Sequence, residues 1–302
     1  MAYLFVFFTE EDKKDGEQIY FAVSKDGLHW TDLKNDGPIL KSTVGDQGVR
    51  DPFILYNPIN DKFFIIATDL RIANGKGWKH ANINGNKSII VWESPNLYEW
   101  NNAERIELVE MEAIHAGCVW APEATFDEDN KKFVMYWASL IDGKQKMYAA
   151  DTVDFHHFTN YRLFMESDEH IIDTTIVKEQ GHFYRFSVNY GGIGMDRVDS
   201  LYPPTNCEGK IKSIIPAKGM EGGIILYFNS IQKWCLFADN SSKKKGYVPL
   251  VCSDLDSCNF EELPSSYYDF GKRLKRHGSI LPISENEYDK LISHFGVMED
   301  AL

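Results

Sequence analysis

A chain of 302 residues with 43% hydrophobic content is long enough to bury a large core. Its formal net charge is −13, so it offers no basic footprint for nucleic acid or for an anionic membrane. No apolar run approaches the length of a membrane span, and the apolar N-terminus lacks the basic segment of a signal peptide. We therefore expect a cytoplasmic protein without nucleic-acid or membrane partners, with a mature form from which a leader has been removed as the alternative.

The five cysteines are an odd number and show no paired metal-ligand spacing. Cys235 and Cys252 lie inside apolar, strand-like runs. We expect the cysteines to be reduced and to serve in packing, which agrees with a cytoplasmic location.

Short apolar segments recur between turn signals along the chain, and helical periodicity is confined to the C-terminus. This pattern predicts an all-β protein with one domain over residues 1–302. The first two strands are expected at Leu4 to Phe8 and at Ile19 to Ser24. The next strand pair begins at Asp51, where Pro52 is expected to hold Asp51 extended and to aim its side chain away from the ladder.

A loose repeat follows the strands and ends each time in an aromatic residue. Its copies are Ser24 to Trp30, Ser94 to Trp100, Asp151 to Phe158 and Ser253 to Phe260, with a degenerate copy at Asp196 to Leu201. Units of about 40 to 50 residues with several strands each are typical of a β-propeller.

Counting these units predicts five blades. Four begin near Asp51, Trp120, Asp173 and Glu221. Residues 1 to about 35 and the segment after His277 are expected to share the fifth blade, because joining both chain ends removes exposed sheet edges. Beyond it, Ser284 and Glu287 form a capping-box pattern, which predicts a short C-terminal helix on the outside of the ring.

Three acids stand in comparable places, since Asp51, Asp173 and Glu221 each open a strand pair. In a propeller the innermost strands line the central axis, so these acids are expected to converge at its mouth. Carboxylates that share a partly buried pocket separate their pKa values, which can leave one proton donor and one base at neutral pH. That condition suits hydrolysis of a glycosidic bond.

With these motifs the chain resembles glycoside hydrolase family 43, a family of five-bladed β-propellers, over nearly its whole length. The matching motifs occur in the family's order: Asp51-Pro52, Trp120 to Glu123, Ile172-Asp173, Glu221-Gly222 and His277 to Ser279. Two residues depart from the common pattern. Glu123 stands where many members have Asp, and Thr174 stands where Pro is frequent. These departures suggest a branch of the family whose sugar specificity does not follow from the resemblance.

The resemblance implies that the reaction inverts the anomeric centre. Asp51 would be the general base that activates water, and Glu221 would be the general acid. Asp173 would modulate the pKa of Glu221 and orient it. An inverting pair of carboxyls is separated by roughly 6.5 to 9.5 Å, which is the expectation for Asp51 and Glu221.

Five further residues are candidates for binding the substrate. Trp120 is expected to stack on a sugar ring, with a core position as the alternative, and Glu123 to bind hydroxyls or to hold Trp120. Trp78 would rim the pocket from a polar loop, or would belong to an ordinary surface loop. Asp69 would bind substrate beside Asp51 or end a strand. His277 is expected near the central channel, where a structural calcium is optional, and no cofactor is required.

We expect the protein to be an exo-acting α-L-arabinofuranosidase that acts on plant-type, pentose-containing oligo- or polysaccharides. β-Xylosidase activity and endo-acting arabinanase or xylanase activity remain as alternatives on the same fold. A non-catalytic carbohydrate-binding propeller is the alternative from a different class, although a lectin has no need for three clustered acids. The oligomeric state is left open.

Overall fold

A computed structural model describes residues 1–34, 36–189, 192–203, 212–215 and 219–298, and Cys207 lies outside them. Over these residues, twenty strands form five four-stranded antiparallel sheets. The innermost strands of neighbouring sheets contact one another in a closed ring, which makes the fold a five-bladed β-propeller. The all-β prediction and the predicted number of blades are confirmed.

The strands and helices of the first half of the chain belong to the start of the closing blade and to the next blade. The N-terminal strands are β1 (Ala2–Phe8), β2 (Tyr20–Ser24) and β3 (Thr31–Asp32). The next blade contains β4 (Val49–Asn57), β5 (Lys62–Asp69), β6 (Ser88–Ser94) and β7 (Glu104–Glu107). Two short helices follow β5 and β7, namely α1 (Gly77–Asn84) and α2 (Val109–Ala113).

Three more blades and the last inner strand complete the ring. One blade contains β8 (Trp120–Asp127), β9 (Lys132–Ile141), β10 (Lys144–Thr152) and β11 (Thr159–Met165). Another contains β12 (Ile172–Glu179), β13 (His182–Asn189), β14 (Gly192–Val198) and β15 (Lys212–Ile215). The last of the three contains β16 (Glu221–Phe228), β17 (Lys233–Asp239), β18 (Tyr247–Cys252) and β19 (Glu261–Glu262). The chain ends with β20 (Arg276–Ile283) and α3 (Glu285–Phe295).

The closing blade joins the two ends of the chain, as expected. Its strand order is β20-β1-β2-β3, and β1 pairs with β20 from Ala2 opposite Ile283 to Phe8 opposite Arg276. All seven residues of β1 are buried. Leu4 and Val6 pack in one core cluster, whereas Phe5 and Phe7 pack in another, so β1 reads as a continuous apolar run.

The C-terminal helix α3 is also confirmed. Ser284 accepts a hydrogen bond from the Glu287 backbone N–H, and the Glu287 side chain accepts one in return from the Ser284 backbone. Leu291 is buried on the core side of the helix, and Phe295 meets Phe21 edge to face with ring centroids 6.0 Å apart. Among the described residues, no helix combines the length and apolar character needed to cross a bilayer.

Each blade that begins at its inner strand carries a bulge at the same place. In β4, Arg50 pairs with Thr68 and Phe53 pairs with Ile66, so the inner strand has one extra residue. The same shift of register recurs in β8, β12 and β16. The residue inside each bulge has a left-handed backbone with φ between 47° and 57°: Asp51, Ala121, Asp173 and Gly222.

The expectation that Pro52 keeps Asp51 extended is therefore wrong. The extra residue of the bulge has to leave the ladder, and aspartate enters the left-handed region more readily than most other non-glycine residues. Because Pro52 has no N–H, it follows the bulge without the loss of a ladder hydrogen bond. The bulge, rather than an extended backbone, is what turns the Asp51 side chain out of the sheet.

Candidate active site

The bulged ends of the inner strands meet at a solvent-open pocket with about 430 Å³ of empty space. Six of the residues selected from the sequence line this pocket: Asp51, Trp78, Trp120, Asp173, Glu221 and His277. Arg50, Leu70 and Ile172 complete the lining. Acids from three different blades therefore share one cavity.

The three acids do not occupy equivalent positions, in contrast to the expectation. Asp51 and Asp173 are the left-handed residues of their bulges, whereas Glu221 precedes the left-handed Gly222 by one residue. A Cβ atom at position 222 would lie 2.6 Å from the His277 ring, so glycine is needed where this bulge approaches the histidine. Since only Gly222 leaves that space, the acid of this blade is displaced to position 221.

Asp51 is held by a hydrogen-bond chain that crosses two blades. Its Oδ2 accepts a hydrogen bond from Thr68 Oγ1 at 2.8 Å, and Thr68 Oγ1 accepts one from the Ala121 N–H at 2.8 Å. Its other oxygen, Oδ1, is 3.4 Å from His277 Nδ1. The Asp51 side chain remains 15% exposed, so it is oriented and still accessible from the pocket.

Asp173 is the more deeply buried of the two aspartates. Burial raises the pKa of its carboxyl to about 7; the positive field of His277 opposes this shift, and the negative Glu221 and Asp51 reinforce it. Its Oδ2 is 3.9 Å from His277 Nδ1. The charge of Asp173 therefore changes close to neutral pH.

His277 lies at the centre of the acid cluster. Burial lowers the pKa of its imidazole, but the surrounding acids outweigh burial and the net shift is upward. The contributing acids are Asp173, Asp51, Glu123 and Glu221. His277 thus lies between the carboxyls of Asp51 and Asp173, whose negative charge favours its protonated form.

Glu123 lies behind the pocket and does not line it. Burial raises the pKa of its carboxyl to about 8, against the lowering effects of His277 and of a hydrogen bond with Thr175. Tyr136 donates a hydrogen bond to Glu123 Oε2 at 3.5 Å. Glu123 therefore keeps its proton at neutral pH. Whether it also contacts sugar hydroxyls stays a prediction.

Glu221 is linked through Arg276 to Asp239, and the sequence analysis identified neither of these two residues. Its Oε1 accepts a hydrogen bond from Arg276 Nη2 at 3.0 Å, and Arg276 Nε donates to Asp239 Oδ2 at 2.8 Å. Burial raises the pKa of Asp239 to about 6, although the Arg276 charge opposes the shift. The only signals in the sequence were a basic residue directly before the His-Gly-Ser motif and an acid at the end of an apolar strand.

Two tryptophans form one side of the pocket. The rings of Trp78 and Trp120 meet edge to face with centroids 6.1 Å apart. Trp78 comes from α1 and is 46% exposed. The expectation that this segment is a loop is therefore wrong. The sequence does not indicate the helix, because it starts at Gly77 without a capping side chain and has little amphipathic pattern.

Asp69 lies outside this pocket. Its carboxylate is buried and accepts hydrogen bonds from the Asp46 N–H and from Ser88 Oγ, both at 2.8 Å, and from Arg105 Nε at 2.9 Å. These contacts tie the loop before β4 to the neighbouring strands.

No group of three or more His, Cys, Asp or Glu side chains is arranged to hold a metal ion in the part of the chain that the structure describes. The Nδ1 atom of His277 is directed at Asp51 and Asp173 instead. The optional calcium near His277 stays a prediction.

Comparison with known proteins supports a carbohydrate-active site. Residues 1–289 match the model of a family-43-related glycosyl hydrolase, described as "Probable glycosyl hydrolase domain". An α-L-arabinofuranosidase of Bifidobacterium longum subsp. longum is 28% identical over 211 residues, which cover 63% of this chain and 20% of that protein. The chain thus spans about a fifth of the length of this relative.

Solved structures of glycoside hydrolases share the fold. A thermostable family-43 glycoside hydrolase superposes with a TM-score of 0.55 and 18% identity over 75% of each chain. An exo-β-1,3-galactanase from Phanerochaete chrysosporium gives a TM-score of 0.60 and 13% identity over 87% of this chain and 60% of that chain. A Bacillus subtilis arabinanase gives a TM-score of 0.53 and 16% identity over 81% and 82% of the two chains. The chain belongs to the family-43-related glycosyl hydrolases.

Proposed function

We propose that this protein is an inverting exo-α-L-arabinofuranosidase that acts on plant-type, pentose-containing oligo- or polysaccharides. The observation that carries the proposal is the single pocket in which Asp51, Asp173 and Glu221 meet beside Trp78 and Trp120. The identity to an α-L-arabinofuranosidase supports the choice of sugar.

Asp51 is the proposed general base. Its Oδ2 accepts a hydrogen bond from Thr68 Oγ1, and its Oδ1 lies 3.4 Å from His277 Nδ1, so the carboxyl is oriented from both of its oxygens. In the proposed step, water loses a proton to Asp51 while its oxygen forms a bond to the anomeric carbon. The bond from that carbon to the leaving oxygen breaks on the opposite face, which inverts the configuration.

Glu221 is the proposed general acid, and it delivers its proton to the leaving oxygen. Its side chain is 33% exposed and faces the pocket, so the leaving group can reach it. Arg276 fixes the direction of the carboxyl, and Asp239 balances the charge of Arg276 from the other side. Asp173 has the proposed role of modulating and orienting Glu221, since each lies in the electrostatic field of the other.

The wall on one side of the pocket supports the proposal of exo action. Residues 70–87 between β5 and β6 form an insertion that carries Trp78 to the pocket wall. A wall on that side favours the terminal unit of a chain over an internal unit, which an open groove would accept.

A panel of 4-nitrophenyl glycosides tests this proposal. We expect the wild-type protein to hydrolyse the α-L-arabinofuranoside with a higher kcat/KM than the β-D-xyloside or the β-D-galactoside, and Asp51→Asn to hydrolyse each of them about 10²–10⁴-fold more slowly. The galactoside is included because of the likeness to an exo-β-1,3-galactanase. A higher kcat/KM for the xyloside or the galactoside would assign that sugar to the pocket instead of arabinose. Binding without any hydrolysis would favour the non-catalytic carbohydrate-binding alternative.

A further inference from the structure

The loop between β1 and β2, residues 9–19, makes buried contacts that the proposed mechanism does not use. Glu17 in this loop is 2% exposed. Its Oε1 accepts hydrogen bonds from the Ile72 N–H at 2.8 Å and from Arg50 Nη1 at 3.1 Å, and its Oε2 accepts one from the Ala73 N–H at 2.9 Å. A buried carboxylate needs such partners, and here they join the closing blade to the insertion that contains α1.

Arg50, the cationic partner of Glu17, lies between two aromatic rings. Its guanidinium carbon is 4.5 Å from the centroid of the Phe8 ring and 4.7 Å from that of the Trp78 ring. Arg50 is 5% exposed, so its planar group has little freedom to turn away from these rings. The residue that binds Glu17 is therefore also the residue against which Trp78 rests.

Trp78 depends on these inner contacts for its position. Its side chain is 46% exposed, and its ring contacts the Arg50 guanidinium and forms the edge-to-face pair with Trp120. Glu17 is connected to Trp78 by two routes. It holds Arg50, and it anchors the backbone at residues 72–73, just before α1.

We propose that Glu17 is a positioning residue for the sugar pocket, because it holds the ring of Trp78 against that of Trp120. The closing blade then contributes to substrate binding as well as to closure of the ring. The proposal rests on the proposed function only for the identity of the sugar that the two rings contact.

The first test needs no sugar. An edge-to-face pair of tryptophans gives an exciton couplet in the far-ultraviolet circular dichroism spectrum, and the difference between the wild-type and Trp78→Phe spectra separates the Trp78–Trp120 couplet from the signals of other aromatic pairs such as Trp137–Tyr161 and Tyr227–Trp234. We expect the couplet to weaken in Glu17→Gln, to disappear in Trp78→Phe and to persist in Glu11→Gln. Glu11 is the matched control because its Oε2 accepts a hydrogen bond from the same Arg50 Nη1 at 3.0 Å, while the backbone contacts at Ile72 and Ala73 belong to Glu17.

The second test measures kinetics with 4-nitrophenyl α-L-arabinofuranoside. We expect Glu17→Gln to raise KM about fivefold, which is the loss of binding expected when one aromatic contact is weakened, while kcat changes much less. Glu11→Gln should change neither. A folded Glu17→Gln protein with a wild-type couplet and wild-type KM would overturn the proposal.

Two further outcomes remain decisive. If Glu17→Gln does not fold, Trp78→Ala takes its place, because Trp78 is half-exposed, and an unchanged KM in that variant would overturn the proposal. If the wild-type protein does not hydrolyse the arabinofuranoside, the sugar assignment fails, whereas the couplet in Glu17→Gln and Glu11→Gln still decides whether Glu17 positions Trp78.

Discussion

The carboxyls around His277 and Arg276 differ in burial and in their nearest charges, and this separates their pKa values. Burial raises the pKa of Glu123 to about 8, that of Asp173 to about 7 and that of Asp239 to about 6. Among these three acids, the protonated form is therefore favoured most at Glu123, less at Asp173 and least at Asp239. Such a spread lets neighbouring carboxyls serve different roles at one pH.

The roles of Asp51 and Glu221 separate when the leaving group is varied. Asp51→Asn is expected to lower kcat by about 10²–10⁴-fold for every substrate, because no other group would activate the water. Glu221→Gln should have a similar effect on an alkyl arabinofuranoside but a small effect on the 4-nitrophenyl glycoside, whose leaving group needs little protonation. Steady-state kinetics on both substrates measure the difference, and full activity of Asp51→Asn would show that the base is misassigned.

Glu123 is expected to make stability depend on pH. Its folded-state pKa, about 8, lies above the ordinary value of 4.5, so the folded protein retains a proton that the unfolded chain releases in this range. The free energy of unfolding should therefore fall as pH rises from about 4.5 to about 8, by at most about 1.4 kcal/mol per pH unit. Glu123→Gln should lack this pH dependence. The difference in Tm between the variant and wild type should therefore shift in favour of the variant as pH rises from 5 to 8.

The control for this prediction is Glu112→Gln in α2. Glu112 is exposed and lies outside the pocket, so its Tm is expected to follow the wild-type curve. Parallel curves for Glu123→Gln and wild type would mean that Glu123 does not carry a buried proton.

At the scale of the elements, the sequence predicted the strands and motifs because apolar runs and turn residues are local signals. It could not predict the register across strands. That register sets Asp239 opposite Glu221 and produces the bulges that turn Asp51 and Asp173 to left-handed backbone. Helix α1 was missed because its stability comes from tertiary contacts such as that of Trp78 with Arg50, rather than from a periodic pattern or a cap.

Removal of residues 1–30 tests the element that closes the ring. Strand β1 lies between β20 and β2 and is buried along its whole length, so its loss would expose the edge of β20 and two core clusters. We expect the truncated protein to show no cooperative thermal unfolding by circular dichroism. Removal of residues 285–302 should lower Tm yet leave a folded ring, because α3 adds no strand. A truncated protein without residues 1–30 that is monomeric and unfolds cooperatively would contradict the shared blade.

For the molecule as a whole, the ring is what brings distant parts of the sequence to one pocket. Four of its five blades supply Asp51, Trp120, Asp173 and Glu221, and the last strand of the chain returns to supply Arg276 and His277. The loop between β1 and β2 contributes Glu17, which accepts a hydrogen bond from the Ile72 N–H near the start of the segment that carries Trp78. A change in how the ring closes is therefore expected to alter the geometry of the pocket as well as the stability of the fold.

The stereochemistry of hydrolysis tests the central claim most directly. Proton NMR during turnover of a methyl or 4-nitrophenyl α-L-arabinofuranoside distinguishes the anomer that is released first from the mixture formed later by mutarotation. With Asp51 as the base and Glu221 as the acid on opposite sides of the sugar, the first product should be the β-anomer of L-arabinofuranose. Release of the α-anomer first, which is retention of configuration, would contradict the mechanism.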